Sequence, residues 1–302
     1  ESETCICMGF LFSSQELKIL VSVVRFHLWA PLIKDFLNLG SMNTSLSDYI
    51  LYDEISRWDK VSLMIKISRT GVEKYLECPR CFVLQYVHKV RPPSLPFTLN
   101  SAVDNLCKNE FDFYRAKKEP HPLFIEHDID AIPFDHPELD DWRNNFKGIR
   151  YIDKDQGYNF GGAIDDVWIK ANGDLILSDV KSTSKNKFDW QDTWNKYEYP
   201  KGYKRQLEMY QWLFRKNGFK VAKEAYLVYF NGLKNEPMFD QKLNFELHLI
   251  KLDCDDSWVE EQVISASKLL ASEEFPSASP TCNNCNYLRK RWKVSQDIKN
   301  IS

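Results

Sequence analysis

No uninterrupted apolar run in this chain is long enough to cross a bilayer, so no membrane-spanning helix is expected. The longest candidate, Ile19 to Leu37, is broken by Arg25, His27 and Lys34 and reads as a buried or interfacial helix. An arginine-led leader with a cleavage site is also missing, and we therefore expect a reduced, cytoplasmic setting and no membrane partner. Repeats and low-complexity tracts are absent, which removes solenoids and arrays. A dominant charge is lacking too: 40 basic against 43 acidic residues leave a formal charge of −3, which neither advertises nor excludes a nucleic-acid partner. What the 302 residues do have is 43% hydrophobic and 14% aromatic content, enough to bury a full core with disorder confined to the tails.

The pattern becomes readable after residue 64. Ser68 to His88 reads as a helix broken by Pro92, Pro93 and Pro96, and Asn100 to Lys118 as a second helix. Glu119 to Asp141 is rich in Pro and Asp and reads as a loop or insertion. Strands follow at Gly148 to Tyr151, Tyr158 to Lys170 and Asp174 to Thr183, then a helix from Tyr203 to Asn217 with Gly218 as its C-cap. Strands at Glu224 to Phe230 and Lys242 to Leu252 and a helix at Asp255 to Ala271 complete the order. This predicts an α/β fold with a mixed central sheet flanked by helices. Residues 1–63 have no counterpart in it. They form an N-terminal extension of uncertain status, expected either to be extra sequence ahead of a natural start at Met64 or Met42 or to be a helical accessory region.

The most informative segment is GAIDDVWIKANGDLILSDVKST. Folded back on a short loop centred on Asn172, it sets Asp165 opposite Asp179, because residue numbers on paired strands sum to a constant. The two carboxylates can then share one divalent ion. The side-chain period of two puts Leu175, Leu177, Asp179 and Lys181 on one face, with Asp166 directed to the other. Phosphodiester cleavage calls for a hard cation held by carboxylate oxygens, with a neighbouring ammonium to orient the attacking hydroxide or offset transition-state charge. Asp165, Asp179 and Lys181 are of the right types. Gln206 and Tyr210, four apart, share one face of the following helix; Tyr210 reads equally well as a core aromatic.

Together these residues resemble the PD-(D/E)xK nuclease superfamily. More narrowly, the chain is similar to the RecB-type nuclease domain and the CRISPR-adaptation exonucleases. Their pattern runs from a helix carrying a histidine, through GxxD and (D/E)xK strands, to a QxxxY helix. Gly162 to Asp165, Asp179 to Lys181 and Gln206 to Tyr210 fit the last three elements, and the matched order spans Ser68 to the C-terminal cysteines. The resemblance implies a restriction-endonuclease-like core and a metal-dependent DNA nuclease of the RecB-like exonuclease type. In it Asp165 and Asp179 hold Mg²⁺ or Mn²⁺, Lys181 assists the attacking water, and Gln206 and Tyr210 orient Lys181 and the DNA backbone. It also implies a helicase, DNA-repair or CRISPR-adaptation partner. Asp104 stands in the histidine slot and Asn100 where a glycine is usual, which makes Asp104 a candidate third ligand. Two other readings stay open: a nuclease fold that binds DNA without turnover, and a metal-stapled interaction module in which Asp-x-Lys is incidental.

Two CxxC pairs, Cys78 with Cys81 and Cys282 with Cys285, have the spacing of a zinc or iron-sulfur site. In the resembling nucleases one cysteine before the core and three after it hold a 4Fe-4S cluster that clamps the ends of the domain. Here the division is two and two, so the expectation is a cysteine-ligated centre joining the N- and C-terminal parts, with the cluster favoured and Zn²⁺ as the alternative. Cys107 and Cys254 read as small buried hydrophobes, and His88, His121, His127 and His136 as surface residues. Lys181, Lys185 and Lys187, and the run Arg289, Lys290, Arg291 and Lys293 with Trp292 interleaved, are candidate phosphate contacts.

Overall fold

A computed structural model describes residues 64–93 and 98–299. The readings made on residues 1–63, including the Ile19 to Leu37 helix and a start at Met42, lie outside them. Strand β1 (Ile65–Ser68) runs into helix α1 (Arg69–Glu77), whose first turn is capped by Ser68 Oγ accepting from the Gly71 N–H at 3.1 Å. The single helix expected over Ser68 to His88 is in fact two. Cys78, with φ −164° and ψ 107°, ends α1 and opens α2 (Pro79–Tyr86), because the residue ahead of a proline is driven to extended backbone and Pro79 fits a helix start. Helix α3 (Thr98–Lys117) follows.

The stretch expected to be a loop carries short elements of its own: α4 (Pro122–Glu126), β2 (Ala131–Pro133) and α5 (Leu139–Arg143). His121, expected at the surface, is buried at the start of α4. Its Nδ1 accepts from the Leu123 N–H at 3.1 Å, and its ring stacks on Phe111 at 4.4 Å.

Tyr158 to Lys170 is a second correction. It is not one strand but two, β4 (Tyr158–Gly162) and β5 (Asp166–Lys170), which lie in different sheets. One sheet has the order β1, β4, β3 (Ile149–Asp153), with β1 parallel and β3 antiparallel to β4. The other has the order β2, β5, β6 (Leu175–Thr183), β7 (Val221–Gly232), β8 (Phe245–Asp253), with only the β6–β7 pair parallel. The parallel pair is bridged by α6 (Trp190–Lys196) and α7 (Tyr199–Lys216), as a parallel connection requires. Gly218, at φ +88°, follows α7, a conformation that favours glycine, and the Phe219 N–H donates back to Phe214 O at 3.1 Å.

Residue alternation on β6 sorts the core. Leu175 and Leu177 pack with Leu207, Leu213 and Phe214 of α7, whereas Ile176 faces Cys107 and Phe111 of α3 together with Trp168. The five-stranded sheet is therefore covered on both faces, and Cys107 and Cys254 are buried as expected. Two more helices complete the chain, α8 (Val259–Ala271) and α9 (Asn283–Lys299), the latter where only a cysteine tail was expected. No helix among the described residues is long and apolar enough to cross a membrane.

Candidate active site

The break between β4 and β5 builds the site. Residues 163–165 belong to neither ladder, and their backbone groups are met from elsewhere: the Ile164 N–H donates to Trp142 O at 3.1 Å, Arg143 Nε to Asp165 O at 3.0 Å, and the Tyr210 hydroxyl to Ala163 O. That contact requires glycine at 162, since a Cβ there would lie 2.9 Å from Tyr210 Cε1 and 3.0 Å from Arg69 Cβ. Across the hairpin Asp166 pairs with Ser178 and Val167 with Leu177, so one step further Asp165 stands at the level of Asp179. The Asp165 Oδ2 atom accepts from the Val180 N–H at 2.8 Å.

Asp179 is almost wholly buried. Its Oδ1 accepts from Gln206 Nε2 at 2.5 Å, and its Oδ2 pairs with Lys181 Nζ. Gln206 Nε2 also lies 3.5 Å from the Tyr210 hydroxyl, so one helix face ties Asp179 to the backbone ahead of Asp165. Tyr210, 2% exposed, is both a core aromatic and the hydroxyl that holds this bend. Asp104 reaches in from α3: its Oδ2 accepts from Lys108 Nζ at 2.8 Å, and the same ammonium lies 3.0 Å from Asp165 Oδ1. The carboxylates of Asp104, Asp165 and Asp179 are thus interleaved with two lysines.

The electrostatics follow from this crowding. Burial pushes the Asp179 carboxyl up to about 7, with the Asp165 carboxylate adding and Lys181 opposing. Asp104 is raised by burial and then by Asp165, against Lys108. Burial also works against an ionised Asp165, but Lys108, Lys181 and the Val180 N–H together hold it below the ordinary value. Burial disfavours the Lys108 ammonium as well, yet Asp165 and Asp104 more than offset it. Asp104 Oδ1 is buried with no hydrogen-bond partner. An all-oxygen donor set with one orphaned carboxylate oxygen fits a hard divalent cation.

Two neighbours were missed in the sequence. Lys108 could have been noticed, one helical turn after Asp104. Arg69 carried no signal; it sits at the start of α1, and its charge acts on Asp179 and Tyr210 from a distant part of the chain. Asp166 turns away, as expected. It is 1% exposed and meets Arg115 Nη2 at 2.5 Å and Arg143 Nη2 at 2.7 Å.

The four cysteines do converge. Cys78 and Cys81, at the α1–α2 junction, meet Cys282 and Cys285 at the start of α9, with all four Sγ atoms within 4.8 Å of one another. Measured pairs are 3.4 Å (Cys81 to Cys285), 3.5 Å (Cys81 to Cys282) and 3.9 Å (Cys78 to Cys285). Burial works against a Cys78 thiolate, but N–H groups of Cys81 and Ser279 aimed at its sulfur bring it down to about 7. Four such thiols could bind a metal. Of the basic run, Arg289, Lys290, Arg291 and Lys293 are exposed on α9 together with Trp292, whereas Lys185 is half-buried and donates to Thr193 Oγ1 at 2.7 Å.

Comparison with known proteins identifies the family. The family model of the PD-(D/E)XK nuclease superfamily matches residues 102–289. The chain belongs to that superfamily. Its members are nucleases that use divalent metal ions, and the matched span holds Asp104, Asp165, Asp179, Lys181, Gln206 and Tyr210. Among solved structures, SSO0001 is 15% identical with a TM-score of 0.35, over 76% of this chain and 88% of that one. An alkaline exonuclease from Laribacter hongkongensis (LHK-Exo) is 12% identical with a TM-score of 0.33, over 82% of this chain and 100% of that one. No curated protein matches.

Proposed function

We propose that this superfamily member is a divalent-metal-dependent deoxyribonuclease of the RecB-like exonuclease type. The observation that carries the reading is the ion-paired chain Asp104–Lys108–Asp165 beside the Asp179–Lys181 pair at the break between two sheets, with one carboxylate oxygen left unpartnered. Asp104, Asp165 and Asp179 would hold Mg²⁺ or Mn²⁺. When bound, such an ion supplies Lewis-acid charge at the scissile phosphate and a water of lowered pKa.

The protein's own groups do the rest. Gln206 holds one oxygen of Asp179 while Lys181 pairs with the other, so the orientation of that carboxylate is fixed before a cation arrives. Tyr210 holds the Ala163 carbonyl and with it the level of Asp165. Lys181, released from Asp179 once the carboxylate has another cation, is placed to orient the attacking water and meet the phosphate.

At the four cysteines we propose Zn²⁺ rather than an iron-sulfur cluster. A tetrahedron of thiolates at about 2.3 Å from one ion spaces its sulfurs about 3.8 Å apart, close to the spacings measured here. A four-iron cluster interposes its own iron and sulfide atoms and sets thiolates wider.

The test is cleavage of labelled single- and double-stranded DNA with Mg²⁺ or Mn²⁺. Wild type is expected to cut, and Asp179→Asn and Lys181→Ala to lose about three orders of magnitude or more in rate while still binding DNA, because both groups act on the transition state. Wild-type cutting rates in Asp179→Asn would sink the assignment.

A further inference from the structure

The chain leaving β6 is lined with aromatic side chains that the catalytic assignment does not use. Tyr203 lies beside Lys181, whose Nζ is 4.9 Å from the ring centroid. Tyr199 follows at 5.5 Å between centroids, and Tyr197 at a further 5.6 Å. Three rings therefore step away from the catalytic lysine in file. Packing does not account for the outer two: Tyr197 is 41% exposed and Tyr199 is 40% exposed. Lysines run alongside. Lys185 Nζ lies 5.3 Å from the Tyr197 ring and 5.9 Å from the Tyr199 ring, and Lys196 Nζ lies 5.7 Å from Tyr197.

Half-exposed rings interleaved with ammonium groups form a surface that takes flat apolar faces and phosphates in alternation. Unstacked bases on a sugar-phosphate backbone offer that combination. A duplex does not, because its base faces are already stacked on one another and only its phosphates reach a protein surface of this kind. The file also begins at the group assigned to the scissile phosphate, so a strand lying on the rings would continue into the site.

We propose that Tyr203, Tyr199 and Tyr197, with Lys185 and Lys196 beside them, form a stacking track for single-stranded DNA that feeds the catalytic carboxylates. This rests on the nuclease reading above and adds the strand type.

Fluorescence anisotropy of the full chain without added divalent ion, using a short labelled oligothymidine and a duplex of equal length, tests it. Single strand should bind more tightly than duplex. Joint replacement Tyr197→Ala and Tyr199→Ala should weaken single-strand binding by at least about tenfold, the loss expected from removing stacked bases, while duplex binding stays within about twofold. Tyr197→Phe with Tyr199→Phe, which keeps both rings, should bind like wild type. Photo-crosslinking of an iodouracil-containing strand to wild type gives a readout independent of variant folding, and adducts should map to Tyr197 or Tyr199. Equal wild-type affinity for the two substrates, unchanged single-strand binding in the double alanine variant, or adducts confined to other segments would overturn the track while leaving DNA cleavage intact. Absence of both cleavage and binding on either substrate would overturn the nuclease reading and the track together.

Discussion

At the scale of single residues, Lys108 decides how the site behaves before it meets a cation. Its ammonium bridges Asp104 and Asp165 at 2.8 and 3.0 Å, and so occupies part of the charge-balancing role that an ion would take. Removing it leaves two carboxylates facing each other, which raises their demand for a cation. Lys108→Met is therefore expected to tighten Mg²⁺ or Mn²⁺ binding by about tenfold, a gain of about 1.4 kcal/mol. Asp104→Ala is expected to weaken it by a similar factor. Calorimetric titration of the two variants against wild type checks both. Identical ion affinity in all three proteins would show that the α3 pair is only a helical ion pair and that Asp104 is no ligand.

At the scale of elements, the junction between β4 and β5 is held by a buried charge cluster centred on Asp166. Arg115 of α3 and Arg143 of α5 both pair with its carboxylate, and Arg143 also meets Asp112 at 2.8 Å and the Asp165 carbonyl at 3.0 Å. Removing the shared anion leaves two guanidiniums, 7% and 10% exposed, with only the half-exposed Asp112 as a carboxylate partner. Loss of one partner from such a cluster costs about 3–5 kcal/mol. Asp166→Ala should lower unfolding stability by about that amount in urea titration, and a change under about 1 kcal/mol would mean the arginines find water instead. Little of this was legible in advance. The outward turn of Asp166 follows from strand period alone, but its partners lie 51 and 23 residues away, and nothing local announces them. The hairpin itself was legible, because alternating Leu175, Leu177, Asp179 and Lys181 and a short polar loop determine the register. Where one expected element is two, a local breaker divides it: Pro79 splits the first helix, and Gly161 with Gly162 ends β4 before the chain changes sheets.

At the scale of the whole molecule, α3, α7, α8 and the strands β6 to β8 were readable because each has a clear period, which the seven-residue α6 lacks. The α4–β2–α5 insertion was not, since its elements are three to five residues long. We propose that residues 64–302 form the nuclease unit, and a chain beginning at Met64 is accordingly expected to fold and to keep cleavage activity. An insoluble product from that start, beside a soluble full chain, would assign residues 1–63 to the fold. The far end of the unit depends on the cysteines. Among residues 283–297 of α9 only Cys285 is buried, so that helix brings almost no apolar surface to the core. A 17-residue helix without such a face is marginal by itself, and its attachment falls to Cys282 and Cys285 meeting Cys78 and Cys81. Because metal affinity at thiolates becomes folding free energy, the attachment should last only as long as the metal does. Purified protein is expected to carry one zinc per chain by elemental analysis. Cys285→Ser, or treatment with a strong chelator, should speed tryptic cutting at Arg289, Lys290 and Arg291 by about tenfold or more, as local opening free energy falls. The core around Phe214 and Leu227, which α9 does not enter, should persist through the same treatment. Protein that carries neither zinc nor iron, and whose cutting rate at α9 does not respond to chelator, would leave four thiols side by side with no metal role.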